Sequence, residues 1–404
     1  MKRLAIVLFL ALLICIALSD EESQTCDSEI LATSCTPEDG NQSHDIFELI
    51  LAEEYETIDP YLPNCIKELK KRGAHRCWHK HSTFLDHLLG VHNILRFWGE
   101  SEVVARVGLF HSAYSNSYVN LALFDPSKDR NIMKELIGPE AEEIVHLFCI
   151  VDRQKVVVET LLVQGVIPMQ GLHVPHLRNE DETVYLSPEI LRILLVFTMA
   201  DVADQYFEWQ DVLFGGSDKI NSMLVPGTDN ISKHQSKSIW PGRSSPGIWM
   251  SYVSQLGMVA STYNPKDSNL DRKIPPVFGN CTQILSRELE IAAIELYWNV
   301  VTNEAHQSDE DIIDKLQMAV TLHPYFFEGH VMLAQKYLHA NDNILALKSA
   351  EKALELIKTW GTSYDKRMAF GAWVSWTRVM HQRASKELGW PSSSWDVNNF
   401  GLVL

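Results

Sequence analysis

Residues 87–99 read H-L-L-G-V-H-N-I-L-R-F-W-G, and after a short acidic turn residues 104–117 read V-A-R-V-G-L-F-H-S-A-Y-S-N-S. Placed on helices, the first run puts Phe84, His87, Val91, Ile94 and Trp98 on one face. The second puts Val103, Val107, Phe110, His111 and Tyr114 on one face. Each helix therefore carries a histidine inside its apolar stripe. One such histidine is most simply a satisfied core residue. Two of them on consecutive helices suit a metal site, because neutral imidazole is a common ligand.

The stretch resembles the HD superfamily of metal-dependent phosphohydrolases, and within it the RelA/SpoT-type guanosine tetraphosphate hydrolase domains. That family has a helix beginning H-P-L-x-V-A-x-I-L-x-x-L-G, which His87, Val91, Ile94, Leu95 and Gly99 match. Its next element, A-A-L-L-H-D-x-x-E-D-T, meets Gly108, Leu109, Phe110 and His111. A later apolar helix ending in A-D-R is similar to residues 191–205, L-R-I-L-L-V-F-T-M-A-D-V-A-D-Q, which offers Asp201. The short helix, the Gly138-Pro139 break and the following E-A-E-E-I-V-H-L-F run continue the likeness, which covers about residues 70–210. The resemblance implies an all-α domain with His87, His111 and Asp201 as ligands of one divalent transition metal (Mn, Fe or Zn). Asp204, three residues on, is the reserve ligand. The chain departs from the pattern at three acids, since H-D is His111-Ser112 here and E-D is Ser115-Asn116. Carboxylates in such sites hold metal and activate water, so a two-metal site is not expected. Two imidazoles and one carboxylate still make a mononuclear site with an open position.

Other histidines stand near the motif. His75, His79 and His81 cluster before a helix start at Ser82 or Thr83, and are read as solvent-facing with a metal site as the sharper alternative. His173 and His176 lie in a Gly- and Pro-containing insertion or lid over 164–187, read as an exposed loop, with the two histidines replacing the lost acids at the metal site as the alternative. Asp152-Arg153 ends a helix and is read as a surface or interhelical ion pair, with a substrate contact as the alternative.

The chain opens M-K-R, then Leu4 to Leu18 almost wholly apolar, then Ser19-Asp20-Glu21-Glu22. This is the pattern of a signal peptide over residues 1–19, cleaved after Ser19. The alternative is an N-terminal membrane anchor, although the run is short of the about 20 apolar residues a spanning helix needs. The expected location is the secretory pathway: extracellular, or the lumen of the ER or vacuole. The final G-L-V-L is no ER-retention signal. Residues 20–43 form a polar leader. Without residues 1–19 the net charge moves from −17 to −19, since Lys2 and Arg3 are lost. An acidic chain with no basic stripe argues against nucleic acid as partner. No other run is long and apolar enough to span a bilayer.

Of seven cysteines, Cys15 lies in the signal. The other six permit up to three disulfides in an exported chain, and Cys26–Cys35 and Cys65–Cys77 could close local loops. Cys149, in V-H-L-F-C-I-V, reads as a buried thiol. Asn41, Asn230 and Asn280 head glycosylation sequons.

Hydrophobic residues make up 46% of the chain, enough for two domains' worth of core in about 385 mature residues. The HD-like helical domain is assigned to 44–213. An irregular connector over 214–282 carries Trp240 and Trp249 around Pro-Gly turns, read as packing across the domain joint, with an aromatic ligand groove as the alternative. From 283 to 404 the chain is helical again. There Ala319 and Pro324, then Leu333, Ala334, Tyr337, Ala346, Ala350 and Ala353, resemble tetratricopeptide repeats. No strand alternation competes, so the expected fold is all-α: an HD-like domain followed by a tetratricopeptide-like domain. The combination over the whole chain resembles a eukaryotic family that lends no activity. Two functions follow. The first is a binding or scaffold protein whose C-terminal helices hold a peptide or protein partner. The second is a mononuclear metal-dependent hydrolase of a phosphorylated or nucleotide-like small molecule.

Overall fold

Thr83 starts the first helix of the motif. Its hydroxyl accepts the Asp86 N–H at 3.1 Å and the Asp86 carboxylate accepts the Thr83 N–H at 3.2 Å, a reciprocal capping box at one of the two expected positions. The computed structural model describes residues 45–79, 82–115, 122–205, 248–263 and 284–393. The signal segment 1–19, the leader 20–43, His81, Asn41, Asn230, Asn280, Cys26, Cys35, Cys281, Trp240 and most of the connector lie outside the described residues.

Three short helices, α1 (Ile46–Leu51), α2 (Tyr55–Ile58) and α3 (Leu62–Lys71), lead to a two-residue ribbon of β1 (Trp78–His79) and β2 (Ser82–Thr83). Helix α4 (Phe84–Phe97) follows and is the centre of the first block. It packs on α5 (Glu102–Phe110) and on α8 (Pro188–Gln205). The α4–α5 approach is close because Gly108 has no side chain. A Cβ there would lie 2.5 Å from Leu95 Cδ1. The predicted stripe of α4 is wholly inside: Phe84, His87, Val91, Ile94 and Trp98 are all buried.

Helices α6 (Arg130–Ile137) and α7 (Pro139–Ile150) meet at Gly138, whose φ of 88° places the turn where the Gly-Pro pair predicts it. A π-helical segment, Lys155–Leu162, comes next.

The region expected to be an exposed loop is instead a β-hairpin of β3 (Leu172–His176) and β4 (Asn179–Leu186). The fold is thus mostly helical rather than free of strands. The reason is a period of two that runs through both arms: Leu172, Val174, Val184 and Leu186 turn inward, while His173, Pro175, Thr183 and Tyr185 are exposed. The turn end of the hairpin is tied to the first block. Leu177 N–H donates to the Ile150 carbonyl at 2.7 Å, and Arg178 Nη2 donates to Ser115 Oγ at 2.6 Å.

Helix α9 (Met250–Ser261) packs on α8. Its first turn is satisfied from a distance. The Glu290 carboxylate, on α10 (Arg287–Asn303), accepts the N–H groups of Trp249 at 3.1 Å, Met250 at 2.9 Å and Ser251 at 2.8 Å. Helix N-termini leave such donors open and carry partial positive charge, so a buried anion suits the position.

Helices α11 (Asp309–Leu322), α12 (Phe327–His339), α13 (Asn343–Trp360) and α14 (Phe370–Ser385) pack each on the next. Ala319, Ala334, Ala346, Ala350 and Ala353 are fully buried between them. From His44 on, the chain forms one compact unit. Its N- and C-terminal helices meet at tryptophans: Trp98 Nε1 donates to the Trp360 carbonyl at 3.2 Å, and Trp360 packs edge-on against Trp249. Gly361 ends α13 at a φ of 67°, and a Cβ there would fall 2.3 Å from Phe97 Cδ2.

Cys65 and Cys77 are free thiols, so the local disulfide expected between them is not made. Cys65 lies on the inner face of α3, its Sγ 3.5 Å from the Leu136 carbonyl, while Cys77 lies past the end of that helix and is half-exposed. Cys149 is a buried thiol as predicted, donating to the Tyr114 carbonyl at 3.3 Å.

Candidate metal centre

Three helices deliver one side chain each to a single point. His87 comes from the first turn of α4, His111 from the end of α5 and Asp201 from the last turns of α8. All three are buried, at 2%, 4% and 1% exposure, and one ligand atom from each lies within 4.8 Å of the others. His87 Nε2 is 3.3 Å and His111 Nε2 3.8 Å from the same oxygen, Asp201 Oδ1. Among the described residues this is the one cluster with the donors and spacing to hold a metal ion.

The far nitrogen of each ring is tied down. His87 Nδ1 is 2.7 Å from Asp204 Oδ2, and His111 Nδ1 is 2.7 Å from the Gly108 carbonyl. Such bonds select the tautomer and turn Nε2 inward, as they do for metal-bound histidines. The reserve ligand Asp204 therefore acts behind His87 and not beside Asp201. Room for it comes from Gly90, one turn along α4: a Cβ there would sit 2.0 Å from Asp204 Oδ1.

Asp201 is held equally firmly. Oδ2 accepts from Arg153 Nη1 at 2.7 Å, and Oδ1 accepts from Gln205 Nε2 at 2.8 Å. Arg153 thus makes an ion pair with another helix, directed into the site, while Asp152 caps and pairs with Lys155. Burial disfavours charge on Asp201, but Arg153, His111 and His87 together hold its carboxyl well below the usual carboxylate range. Burial also disfavours charge on His87, yet the Asp201 and Asp204 carboxylates outweigh it and raise His87 to about 9. His111 goes the other way. Burial dominates and lowers it to about 4, so this ring is neutral at physiological pH.

His79 belongs to the site, which the reading of a solvent-facing histidine did not anticipate. Its Nε2 is 2.8 Å from Gln205 Oε1, and its ring centre is 4.6 Å from that of His87. His75 is exposed and bonded to Arg76. His173 is exposed on β3 and packs on Tyr185, while His176 Nδ1 accepts the Arg178 N–H, so the hairpin histidines are bonded within the hairpin. Two of the serines at which the sequence departs from the resembled pattern are described. Ser112 is buried, and Ser115, at a φ of 67°, receives Arg178 of the hairpin. Arg153, Gln205 and Gly90 carried a sequence signal only in part: Gln205 lies four residues after Asp201, on the same helix face, whereas Arg153 and Gly90 meet the site through tertiary contacts.

The donor set fits a mononuclear ion: two neutral-capable imidazoles and a fixed carboxylate, each braced from behind. A family model described as a domain of unknown function (DUF6817) matches residues 68–153, which include His87 and His111 and stop short of Asp201. No curated protein and no solved structure matches the chain.

Proposed function

We propose that this chain is a metal-binding protein of the secretory pathway built on a degenerate HD-like scaffold. His87, His111 and Asp201 hold one divalent transition metal (Mn, Fe or Zn), and the tetratricopeptide-like C-terminal helices contact a peptide or protein partner. One observation carries the metal reading: two Nε2 atoms face one carboxylate oxygen while both Nδ1 atoms are anchored. A buried imidazole is satisfied when each nitrogen has a partner; what sets this pair apart is that both Nε2 atoms converge on one carboxylate oxygen. The buried alanines between α11, α12 and α13 support the repeat reading, since small residues let paired helices approach.

A second reading is hydrolysis of a phosphorylated or nucleotide-like small molecule. It is favoured by the ligand count, because three protein ligands leave a position for water, which a divalent ion would polarise when bound. In that reading Asp204 and Gly108 orient the rings, Arg153 keeps Asp201 ionised, and the loss of acids at Ser112 and Ser115 restricts the site to one metal.

Elemental analysis of the folded full-length protein tests the proposal. About one equivalent of a transition metal is expected, lost in both His87→Ala and His111→Ala while circular dichroism stays helical. Metal-free protein after reconstitution would overturn it. A metal-loaded protein that cleaves no phosphate ester would leave the binding reading and remove the hydrolase.

A further inference from the structure

The Asp201 oxygen that both histidines face is also the one that accepts from Gln205, and Gln205 in turn meets His79. We propose that His79 is a positioning residue of this centre, acting through the Gln205 side-chain amide to fix Asp201 Oδ1. The proposal rests on the metal reading only for its effect on metal, not for the bonding that defines it.

The argument is one of donors and acceptors. An amide has two ends that differ only in which can donate. The ionised Asp201 accepts but cannot donate, so it requires the NH2 end of Gln205. That leaves Oε1 facing His79 Nε2, which must then carry its hydrogen. The His79 tautomer and the Asp201 charge therefore enforce one orientation of the amide between them. Reversal would set two oxygens against each other at Asp201 Oδ1. The arrangement is packed as well as bonded: the His79 ring lies against Phe84 at 5.5 Å and His87 at 4.6 Å between centroids. Because Oδ1 keeps a second lone pair, the Gln205 bond aims the carboxylate without consuming its capacity for an ion. Gln205 stands one turn beyond Asp201 on α8, and His79 lies on the ribbon before α4. The relay thus joins the two segments that carry His87 and Asp201 at a point outside the ligand set.

The test uses the full chain with His79→Ala, Gln205→Leu and the double variant. Cobalt(II), titrated into metal-free protein and followed by its visible absorption, should bind about 10- to 100-fold more weakly to Gln205→Leu, the range for groups behind a ligand. His79→Ala should weaken binding in the same direction. The double variant should bind no more weakly than Gln205→Leu, because both act through one amide. Losses that multiply, or a His79→Ala protein equal to wild type, would overturn the relay. A second readout needs no metal. Nitrogen-15 spectra of the histidine rings should show His79 with hydrogen on Nε2 in the metal-free wild type, and its Nε2 resonance should shift in Gln205→Leu. A mixture in the wild type would refute the relay even if cobalt binds. A fixed tautomer with no cobalt binding would uphold the relay and overturn the metal proposal alone.

Discussion

Gly90 is the residue on which the geometry of the site turns. Alanine is the better helix former by about 1 kcal/mol, so Gly90→Ala would normally firm an interior helix. Here the added carbon would occupy the place of Asp204 Oδ1. Asp204 would have to withdraw, leaving His87 Nδ1 without its carboxylate. The expected outcome is a protein as helical as wild type that binds cobalt about 10- to 100-fold more weakly, measured by titration. Unchanged affinity would show that Asp204 does not orient His87. The histidine pair was legible in the sequence because two histidines interrupt apolar stripes, whereas Asp201 was reached only through the resemblance of its helix to a later element of the HD pattern. Gly90 was not, since a glycine inside a helix gives no sign of which side chain needs the space. Arg153 was legible as half of an ion pair, but not as the partner of an aspartate 48 positions away.

At the scale of elements, helix periodicity was readable over 84–150 and from 285 on, and the Thr83 cap and the Gly138 break fall where the turn chemistry puts them. The buried helix α9 (Met250–Ser261), however, lies in the segment read as an irregular connector, where flanking Pro-Gly turns hid it. The β3–β4 hairpin was missed for a physical reason. Pro175 and the run N-E-D-E-T mask a short alternation, and its inward residues become apparent only once the arms are paired. The Glu290 contact with α9 was also illegible, because nothing local marks a glutamate as a cap for a helix 40 residues earlier. It carries a prediction. Glu290→Ala removes the acceptor for three backbone donors at a buried helix end. Leaving buried donors unpaired costs about 1–3 kcal/mol for each. Urea unfolding should show a loss of at least about 2 kcal/mol, more than truncation of a surface glutamate gives. A loss under about 0.5 kcal/mol, typical of surface changes, would mean that other groups satisfy this end.

At the scale of the whole molecule, the fold is sensitive to acid. His92, His111 and His323 are buried and neutral, lowered by burial to about 4, 4 and 3. In the unfolded chain each binds a proton near pH 6.5. The unfolded state therefore binds more protons between pH 6.5 and about 4, and stability falls as pH falls through that window. Glu328 works in reverse: burial raises it to about 7, so protonation in the fold adds stability over part of the same range. Glu290, also raised by burial, acts in the same sense as Glu328, and His330, lowered by burial to about 4, acts with the other three rings. Four such histidines outweigh two carboxyls. His87, raised to about 9, contributes stability that is fully present below pH 6.5 and lost only as pH rises through 9, so it offers no further compensation in acid. Thermal unfolding followed from pH 7.5 to 4.5 should show a steadily falling midpoint. A flat profile would mean that these rings are protonated in the fold.

The tryptophan seam has a consequence for how the chain is made. Trp98 finds its carbonyl partner at Trp360, and Phe97 finds its neighbour at Gly361, more than 260 positions later. A nascent chain emerging from its N-terminal side exposes the end of α4 well before the partner surface exists. The early helices must wait, with apolar surface open, until most of the polypeptide has been synthesised. Completion of the molecule is thus a late, concerted event, and premature termination anywhere before residue 360 leaves a product with an unsealed face, a natural client for chaperones and disposal.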